Sequence, residues 1–434
     1  MAKVFISPLQ MPSHHNALLG LSRQLARGGH ECHFLAPESF RDFFTQNQAS
    51  LIPVFDKGYA RNEELKNLER TSAEYRRVYR EVLSELLQEL DAAIETHRPD
   101  FFLVDSLVVP NVFPAIGRGI GCATVHTMLP LTSDGPPPPT TFNPPVGNPW
   151  AYLKNKLLWR RIHQAVRRDL EVSGDRRLYE ELARQYRVPL QSLDFNTPVC
   201  FDIDLPKLIL CAEAFDFQRQ PNASRHYLGP CVTLDREEPE FPWERLNPEQ
   251  KLVYCALGTV GHAKHAGELI AALVKLMESR QDLQLVLADH WQLGPEALPD
   301  NVIKVDFAPQ LGLLKKAAVF VTHGGLNSIK EAIVCKVPML VFPSNGDQPG
   351  NAMRVQHHGL GQFGLAQQAT PDALGPLLDE VMNDTRTEQK MADMSRRFQA
   401  EIEEHLPLKV FNRLLGAPET PEQMVEGRLS GASP

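Results

Sequence analysis

Between residues 317 and 343 the chain has a pattern that can fold in few ways: a strand, a glycine turn, a helix and a second strand. Ala317–Thr322 is a short apolar run of strand type, and His323-Gly324-Gly325 is the turn. A helix over about residues 327–335 and a second apolar run, Val337–Pro343, follow. This βαβ unit predicts a parallel sheet covered by helices, which is the α/β class.

The first turn of this helix carries polar side chains that suit a particular ligand. A helix N-terminus attracts an anion, and glycines let that anion approach the backbone closely. Asn327 and Ser328 add donors, and Glu331 lies one turn later, where it could accept hydrogen bonds from ribose hydroxyls. We interpret the unit as a site for a nucleotide diphosphate. A glycine turn alone fits a tight turn without a ligand equally well.

A second unit of the same class begins at the N-terminus. Ala2–Pro8 is typical of a buried strand, leucines at helical spacing follow as far as Gly28-Gly29, and Glu31–Leu35 is a second strand. This predicts a Rossmann-like half. It lacks a GxGxxG motif after its first strand, which argues against a dinucleotide in this half.

Length and a change in composition predict the domain organisation. A chain of 434 residues favours two domains, and the charged, proline-containing stretch from Thr233 to Gln250 is typical of a linker. We therefore predict a Rossmann-like domain, a linker, a second Rossmann-like domain, and a helix and tail that cross back to the first domain. Their bounds are 1–232, 233–250, 251–400 and 401–434.

Charge and cysteine usage limit the partners and the compartment. A net charge of −8 argues against a general nucleic-acid binder. The seven cysteines are scattered and contain no CxxC pair, which favours a reducing compartment. The N-terminal residues have no apolar leader pattern, and no apolar run reaches the length of a membrane span. We expect a cytoplasmic protein, as a monomer or weak dimer.

The stretch from residue 148 to residue 188 is helical in pattern, and its first half is basic and aromatic. It follows a proline-dense loop over 129–149, which can be neither helix nor central strand. Such a helix covers an acceptor cleft, faces solvent, or lies on a membrane surface. The sequence leaves these alternatives open, including a weak peripheral membrane contact.

Two further residues lie where an α/β sheet keeps its site. Asp105 lies at the end of the buried strand over 99–106, and His14 follows the first strand directly before the first helix. A carboxylate at such a place is also commonly a helix cap, and a lone histidine near a helix start is commonly a surface residue. His15 stands beside His14, and either could be the functional one.

The stretch from Phe307 to Gln348 resembles the donor-binding signature of the UDP-dependent glycosyltransferases of natural-product type, glycosyltransferase family 1. That pattern is an aromatic residue, Ala/Val-Pro-Gln, His-x-Gly-x-Asn-Ser-x-x-Glu, Val-Pro-x-x-x-x-Pro and Asp/Glu-Gln. The sequence departs from it at Phe307, where Trp is usual, and at Cys335, near where Gly is common. It matches at Ala308, Pro309, Gln310, His323, Gly325, Asn327, Ser328, Glu331, Val337, Pro338, Pro343, Asp347 and Gln348.

The resemblance implies a GT-B fold, in which two Rossmann-like domains face each other across a cleft. Residues 1–232 would bind the acceptor and residues 251–400 the nucleotide sugar. The implied reaction is inverting transfer of a sugar, with glucose favoured, from a UDP-sugar to a hydroxyl of an apolar small molecule such as a carotenoid, polyphenol or macrolide. The UDP-sugar is a co-substrate, and no metal or other cofactor is expected.

The resemblance also implies residue roles, position by position. His14 is preferred over His15 as the general base by its spacing to Leu21, and Asp105 would accept a hydrogen bond from its second ring nitrogen. The family's donor contacts fall on the base, the ribose, the diphosphate and the sugar. They imply Phe307 and Gln310 at the base, Glu331 at the ribose, Thr259, His323, Asn327 and Ser328 at the diphosphate, and Asp347 and Gln348 at the sugar, with Gly325 as a further donor-binding position.

Several segments are most similar to the bacterial zeaxanthin glucosyltransferase and macrolide glycosyltransferase branch of the family. They are SHHNALLGL (13–21), RHYLGP (225–230), ALGT (256–259), HGGLNS (323–328) and DQPG (347–350). Two alternatives on the same fold are a UDP-sugar epimerase and a UDP-sugar-binding protein without catalysis. The epimerase would need acidic residues around the sugar that cannot be assigned, and the pair of His14 and Asp105 argues against the second alternative.

One pattern points to metal chemistry but has little support. Asp202-Ile203-Asp204 is a DxD triplet, the metal motif of a different glycosyltransferase fold, but no nucleotide-binding unit adjoins it. The paired histidines at 14–15 and 357–358 lack carboxylate or cysteine partners at zinc spacing. We therefore predict no metal site.

Overall fold

A computed structural model describes residues 1–61, 64–65, 67–138, 140–142, 149–198, 201–258 and 265–416. Two sheets of parallel strands, each with helices packed on it, form two domains. This is the α/β arrangement that the two βαβ units predict.

The first domain contains a seven-stranded parallel sheet. Its apolar strands are buried, as a parallel sheet with two covered faces requires. The strands are β1 (Lys3–Ser7), β2 (Glu31–Ala36), β3 (Ser50–Pro53), β4 (Phe101–Asp105), β5 (Gly121–His126), β8 (Lys207–Ile209) and β9 (Arg225–Tyr227), while β6 (Leu193–Asp194) and β7 (Asp202–Ile203) form a separate antiparallel pair. The strand order is β3-β2-β1-β4-β5-β8-β9.

The helices of the first domain differ from the sequence prediction in one place. They are α1 (Pro12–Arg27), α2 (Arg41–Gln46), α3 (Asp56–Ala60), α4 (Ala73–His97), α5 (Phe113–Gly117), α6 (Pro149–Ser173) and α7 (Asp175–Gln185). The helical pattern over 148–188 is divided by Gly174, whose φ of 78° is left-handed and ends one helix before the next begins.

The second domain contains a six-stranded parallel sheet and the predicted βαβ unit. Its strands are β10 (Lys251–Ala256), β11 (Leu283–Ala288), β12 (Val302–Val305), β13 (Ala317–Thr322), β14 (Met339–Val341) and β15 (Gly361–Phe363). Its helices are α8 (Ala266–Met277), α9 (Gln310–Leu314), α10 (Leu326–Cys335), α11 (Gln348–His357), α12 (Pro371–Asn383) and α13 (Thr385–Glu403). The strand order is β12-β11-β10-β13-β14-β15.

The strand order reverses once in each sheet. In the first sheet the reversal lies between β1 and β4, and in the second between β10 and β13. Ligands of open α/β sheets bind outside the carboxyl ends of the strands at such points. His14 follows β1, Asp105 ends β4, and His323 follows β13, so the predicted site residues lie at these two reversals.

The chain crosses between the domains twice. The first crossing is the segment between β9 and β10, where Asp235 accepts a hydrogen bond from Arg23 of α1 at 3.0 Å. The second crossing leads to α14 (Leu406–Leu414), which packs on α1 in the first domain. There, the side chains of His30 and Asn412 are hydrogen-bonded at 3.0 Å.

A buried ion pair also connects the two domains. Arg354 of α11 donates through Nε and Nη2 to Asp216 Oδ1 at 3.0 and 2.7 Å, and both side chains are almost fully buried. Asp216 lies between β8 and β9 in the first domain, where Arg219 and the hydroxyl of Tyr227 also donate to its carboxylate. Four polar groups are thus hydrogen-bonded to one another in a buried interface.

Stability should depend on pH through Glu401 of α13. Burial and the neighbouring Glu213 and Glu404 raise the pKa of Glu401 to about 7. The folded state therefore keeps a proton that the unfolded chain releases, so stability declines as the pH rises from about 4.5 to about 7. We expect Glu401→Gln to raise the melting temperature at about pH 8, by roughly 1–3 °C, and to leave it almost unchanged at about pH 5.

Thermal denaturation at both pH values measures this effect. Glu403→Gln, on the same helix but exposed, is the matched control and should have little effect at either pH. Equal shifts for Glu401→Gln at both pH values would contradict the assignment.

Candidate active site

His14 and Asp105 are in direct contact. His14 lies in the first turn of α1, and its Nδ1 is 2.6 Å from Asp105 Oδ2. Asp105 is 1% exposed and is held in place because its Oδ1 accepts the backbone N–H of Leu107 at 3.0 Å. An ionised carboxylate can only accept, so the proton of a neutral His14 lies on Nδ1 and Nε2 carries the free lone pair.

Thr127 is a third member of this group that sequence reasoning missed. Its Oγ1 is 3.1 Å from His14 Nδ1. Thr127 directly follows β5, which neighbours β4 in the sheet. The rule that pointed to Asp105, a polar residue at the carboxyl end of a strand, could have found it as well.

The structure distinguishes the two adjacent histidines. His15 is fully buried, with its ring centroid 4.4 Å from that of Phe40 and 5.2 Å from that of Phe44. Burial and the neighbouring His14 lower the pKa of His15 to about 4, so it is a neutral core residue near pH 7. His14, by contrast, keeps 12% of its side chain exposed.

Two glycines enclose the imidazole of His323 at the end of β13. A Cβ atom at Gly258 would lie 2.9 Å from the His323 ring, and one at Gly325 would lie 2.7 Å from Nε2. Burial lowers the pKa of His323 to about 4. The ring is therefore neutral and can offer an N–H to an oxygen, but not a positive charge.

The N-terminus of α10 lies beside the first turn of α1, which carries His14. No side chain caps this helix, whose first residues follow the extended Gly325. Asn327 Nδ2 donates to the backbone oxygen of Ser13 at 3.1 Å, across the cleft between the domains. The predicted diphosphate residue Asn327 is thus engaged in an interdomain contact. Thr259, also predicted there, lies outside the described residues.

The predicted ribose residue Glu331 is almost completely paired. Gln310 Nε2 donates to Glu331 Oε2 at 2.7 Å, and Arg236 donates to both carboxylate oxygens. Ser328 Oγ is 3.5 Å from Gln310 Nε2. With three donors on two oxygens, the carboxylate keeps one acceptor position on Oε1 for a further donor.

Arg236 and Glu238 come from the segment between the domains and were not predicted. Arg236 pairs with Glu331, as described above. Glu238 accepts hydrogen bonds from the backbone N–H groups of Leu311 and Gly312 at 2.7 and 2.9 Å. These bonds hold the linker against the start of α9, next to Gln310. The linker contains many charged residues, and no local sequence pattern distinguishes the two that contact the donor-signature helices. They could therefore not be predicted.

The remaining residues that are predicted to bind the nucleotide sugar differ in their exposure and in the hydrogen bonds that they already make. Phe307 is 50% exposed, with its ring centroid 4.4 Å from that of His290, so it offers an open aromatic surface. Asp347 accepts from Asn351 Nδ2 at 2.9 Å, and burial raises its pKa. Gln348 Oε1 accepts the backbone N–H groups of Ser344 and Asn345 at 2.8 and 3.2 Å, within its own loop.

A small cavity of about 30 Å³ lies beside the His14–Asp105 pair. It begins at Ser106, next to Asp105, and most of its walls are apolar. The apolar lining residues are Leu107, Met128, Leu129, Leu131 and Phe201. Asp202 of the DxD triplet also borders this cavity, but its carboxylate is paired with Lys207.

Comparison with known proteins finds similarity to sugar-nucleotide transferases. Residues 213–412 match the family model described as UDP-glucoronosyl and UDP-glucosyl transferase. The chain is 26% identical to the zeaxanthin glucosyltransferase of Pantoea ananas over 71% of this chain and 70% of that one. It is 26% identical to the uncharacterized UDP-glucosyltransferase YojK of Bacillus subtilis over 53% of this chain, and the match spans 57% of YojK.

The fold comparison covers nearly the whole chain. The crystal structure of the glycosyltransferase of kitacinnamycin superposes with a TM-score of 0.72 at 22% identity, over 95% of this chain and 99% of that one. This likeness confirms the predicted GT-B fold. The match of residues 213–412, with the signature inside it, makes this part of the chain similar to the UDP-glucuronosyl and UDP-glucosyl transferases.

Proposed function

We propose that the protein is an inverting glycosyltransferase that moves a sugar from a UDP-sugar to a hydroxyl of an apolar small molecule. One observation carries the proposal. The His14–Asp105 pair lies in the interdomain cleft, and the residue before His14 accepts a hydrogen bond from Asn327 at the N-terminus of α10, within the donor signature. A base and a phosphate-binding helix terminus on opposite sides of one cleft are what a single displacement requires.

In the proposed reaction, Nε2 of His14 takes the proton of the acceptor hydroxyl while its oxygen attacks the anomeric carbon of the sugar. The bond from that carbon to the diphosphate breaks, and its electron pair leaves with UDP. Attack opposite the leaving group inverts the configuration. Asp105 holds the ring through Nδ1 and stabilises the imidazolium that forms.

The N-terminus of α10 and the neutral ring of His323 are suited to hold the diphosphate. Together they offer N–H donors without a fixed cation, and a helix N-terminus stabilises negative charge. We therefore propose that the reaction needs no metal and no cofactor besides the UDP-sugar.

Glucose is the sugar that we expect, since Gln348 stands at the last position of the signature and the relatives named above are called glucosyltransferases. The apolar side chains that follow β4 and β5, Leu107, Met128 and Leu129, support an apolar acceptor. The zeaxanthin enzyme among the relatives supports a carotenoid-like alcohol as one candidate acceptor, beside a polyphenol or macrolide. The cytoplasm remains the expected compartment, because the cysteines are scattered along the sequence and include no CxxC pair.

A library of hydroxylated apolar compounds tests the proposal, with UDP-glucose as donor and mass spectrometry as readout. UDP release that depends strictly on an acceptor, with a hexose added to that acceptor, is the expected result. Turnover of UDP-glucose without any acceptor would favour an epimerase. Binding of UDP-glucose without turnover of any compound would favour a non-catalytic protein.

Glu331 should set the preference for a ribonucleotide donor. Its free Oε1 position can accept a ribose hydroxyl, and a hydrogen bond to a charged group contributes about 1.5–3 kcal/mol. We expect Glu331→Gln to reduce the preference for UDP-glucose over its 2′-deoxyribose analogue by roughly tenfold or more. Steady-state kcat/KM values with the two donors measure it.

Glu238→Gln is the matched control for this prediction. This variant alters a carboxylate that also lies next to Arg236. The Glu238 carboxylate accepts backbone N–H groups, however, and is not the group predicted to bind the ribose. The preference for the ribose donor should stay unchanged in this variant. An unchanged preference in Glu331→Gln would show that the ribose is bound elsewhere.

A further inference from the structure

One face of α6 is fixed to the first domain, and the opposite face presents an apolar stripe to solvent. Trp159 is 4% exposed, and its Nε1 donates to the backbone oxygen of Pro136 at 2.8 Å. On the opposite side, Trp150, Leu153 and Leu157 follow the spacing i, i+3 and i+7 and are 80%, 47% and 50% exposed. Three large apolar side chains in a row are unusual on a free surface.

Basic side chains share this exposed face. Helical spacing places Lys154, Arg160, Arg161 and Arg168 beside or beyond the apolar stripe, and all four are exposed. The helix carries six Lys and Arg residues but only two carboxylates, Asp169 and Glu171, both near its C-terminal end. This concentration of positive charge stands in a chain whose net charge is −8.

We propose that this face of α6 docks the protein on an anionic bilayer surface. Trp150 and the leucines would enter the interfacial layer, where aromatic and aliphatic side chains partition. The Lys and Arg stems would lie along the apolar layer, with their charged ends at lipid phosphates. No helix within the described ranges has the length and hydropathy to span a bilayer, so the contact is peripheral.

The docking face is connected to the cavity beside Asp105. Trp159 is held by Pro136, and the chain just before that proline contributes Leu129, Leu131 and Thr132 to the cavity wall. A protein docked through α6 would thus have the stretch 129–136, which borders the cavity, near the lipid. This arrangement suits an acceptor that partitions into a bilayer, but the docking itself does not depend on the proposed reaction.

Sedimentation with lipid vesicles tests the proposal on the full chain. At about 0.1 M salt we expect binding to vesicles that contain phosphatidylglycerol, at least fivefold weaker binding to pure phosphatidylcholine, and release at about 0.5 M salt. Trp150→Ser/Leu153→Ser/Leu157→Ser and Lys154→Glu/Arg161→Glu should each lower binding at least fivefold. A blue shift of tryptophan fluorescence with vesicles should disappear when Trp150 is replaced by Phe.

The matched control is Lys315→Glu/Lys316→Glu, the same change in charge on exposed residues of the second domain. It should bind vesicles like the wild type, and unchanged melting temperatures should show that each variant is folded. The proposal is overturned if the wild type does not bind or if the α6 variants bind as well as the wild type. It is also overturned if sedimentation velocity shows that the face joins two copies of the chain. Vesicle binding needs no substrate, so failure here would leave the proposed transferase activity untouched.

Discussion

His14→Ala is expected to lower kcat by about 10²–10⁴-fold, the usual contribution of a positioned general base. The proton of the acceptor hydroxyl would then have to leave to water, while the donor site stays intact. The Kd for UDP should therefore stay within about twofold of the wild-type value. Initial rates of UDP release with a saturating acceptor, together with calorimetric titration of UDP, separate the two effects.

Two variants make this prediction specific. Asp105→Asn keeps the shape of the side chain but allows the wrong tautomer of His14, so kcat should fall while UDP binding remains. His15→Gln changes the buried neighbour, which packs on phenylalanines, so it should lower the melting temperature while the folded enzyme keeps its kcat. Residual activity above a tenth in His14→Ala, or a larger kcat loss in His15→Gln, would refute the assignment of the base.

Asp216→Ala should cost about 3–5 kcal/mol of stability, the range for breaking a buried ion pair by removing one partner. The change leaves the guanidinium groups of Arg354 and Arg219 buried without their common acceptor. Although burial opposes ionisation, these two arginines lower the pKa of Asp216. Its contribution should therefore be present above about pH 4 and be lost as the pH falls below that value.

Urea denaturation followed by far-UV circular dichroism measures this loss. The control is Asp393→Ala, which removes one partner of an exposed pair with Arg396 and should cost less than about 0.5 kcal/mol. Double replacement of Asp216 and Arg354 by apolar residues should recover part of the loss, because no unpaired charge then remains on the Arg354 side. A loss below 1 kcal/mol in Asp216→Ala would mean that water reaches this interface.

Sequence reasoning could predict those candidate site residues whose positions follow from the order of strands and helices. Parallel strands end at a common edge, so a residue after β1 and a residue at the end of β4 become neighbours once the sheet forms. This rule pointed to Asp105 and to the His14–His15 pair, and the resemblance to the family then favoured His14, 91 residues from Asp105. The His323 turn was found because a strand, glycines and a helix stand next to each other in the chain.

The contacts that sequence reasoning missed are those between segments without periodic pattern. The pairing of Arg236 with Glu331 joins a linker to a helix over 95 residues, and nothing local marks either partner for the other. Gln348 was assigned to the sugar by its position in the signature, whereas its side chain is bonded within its own loop. The division at Gly174 was missed because the apolar spacing continues on both sides of it.

The two crossings of the chain, at the linker and before α14, constrain how the lobes can move. Each is anchored near α1, the first through Arg23–Asp235 and the second through His30–Asn412. A domain that is connected to its neighbour at one point can rotate in any direction. A domain that is connected at two points rotates mainly about the line that joins those points. We therefore expect the cleft to open and close by rotation about one axis. His14 would then return to the same position relative to the bound UDP-sugar in every catalytic cycle.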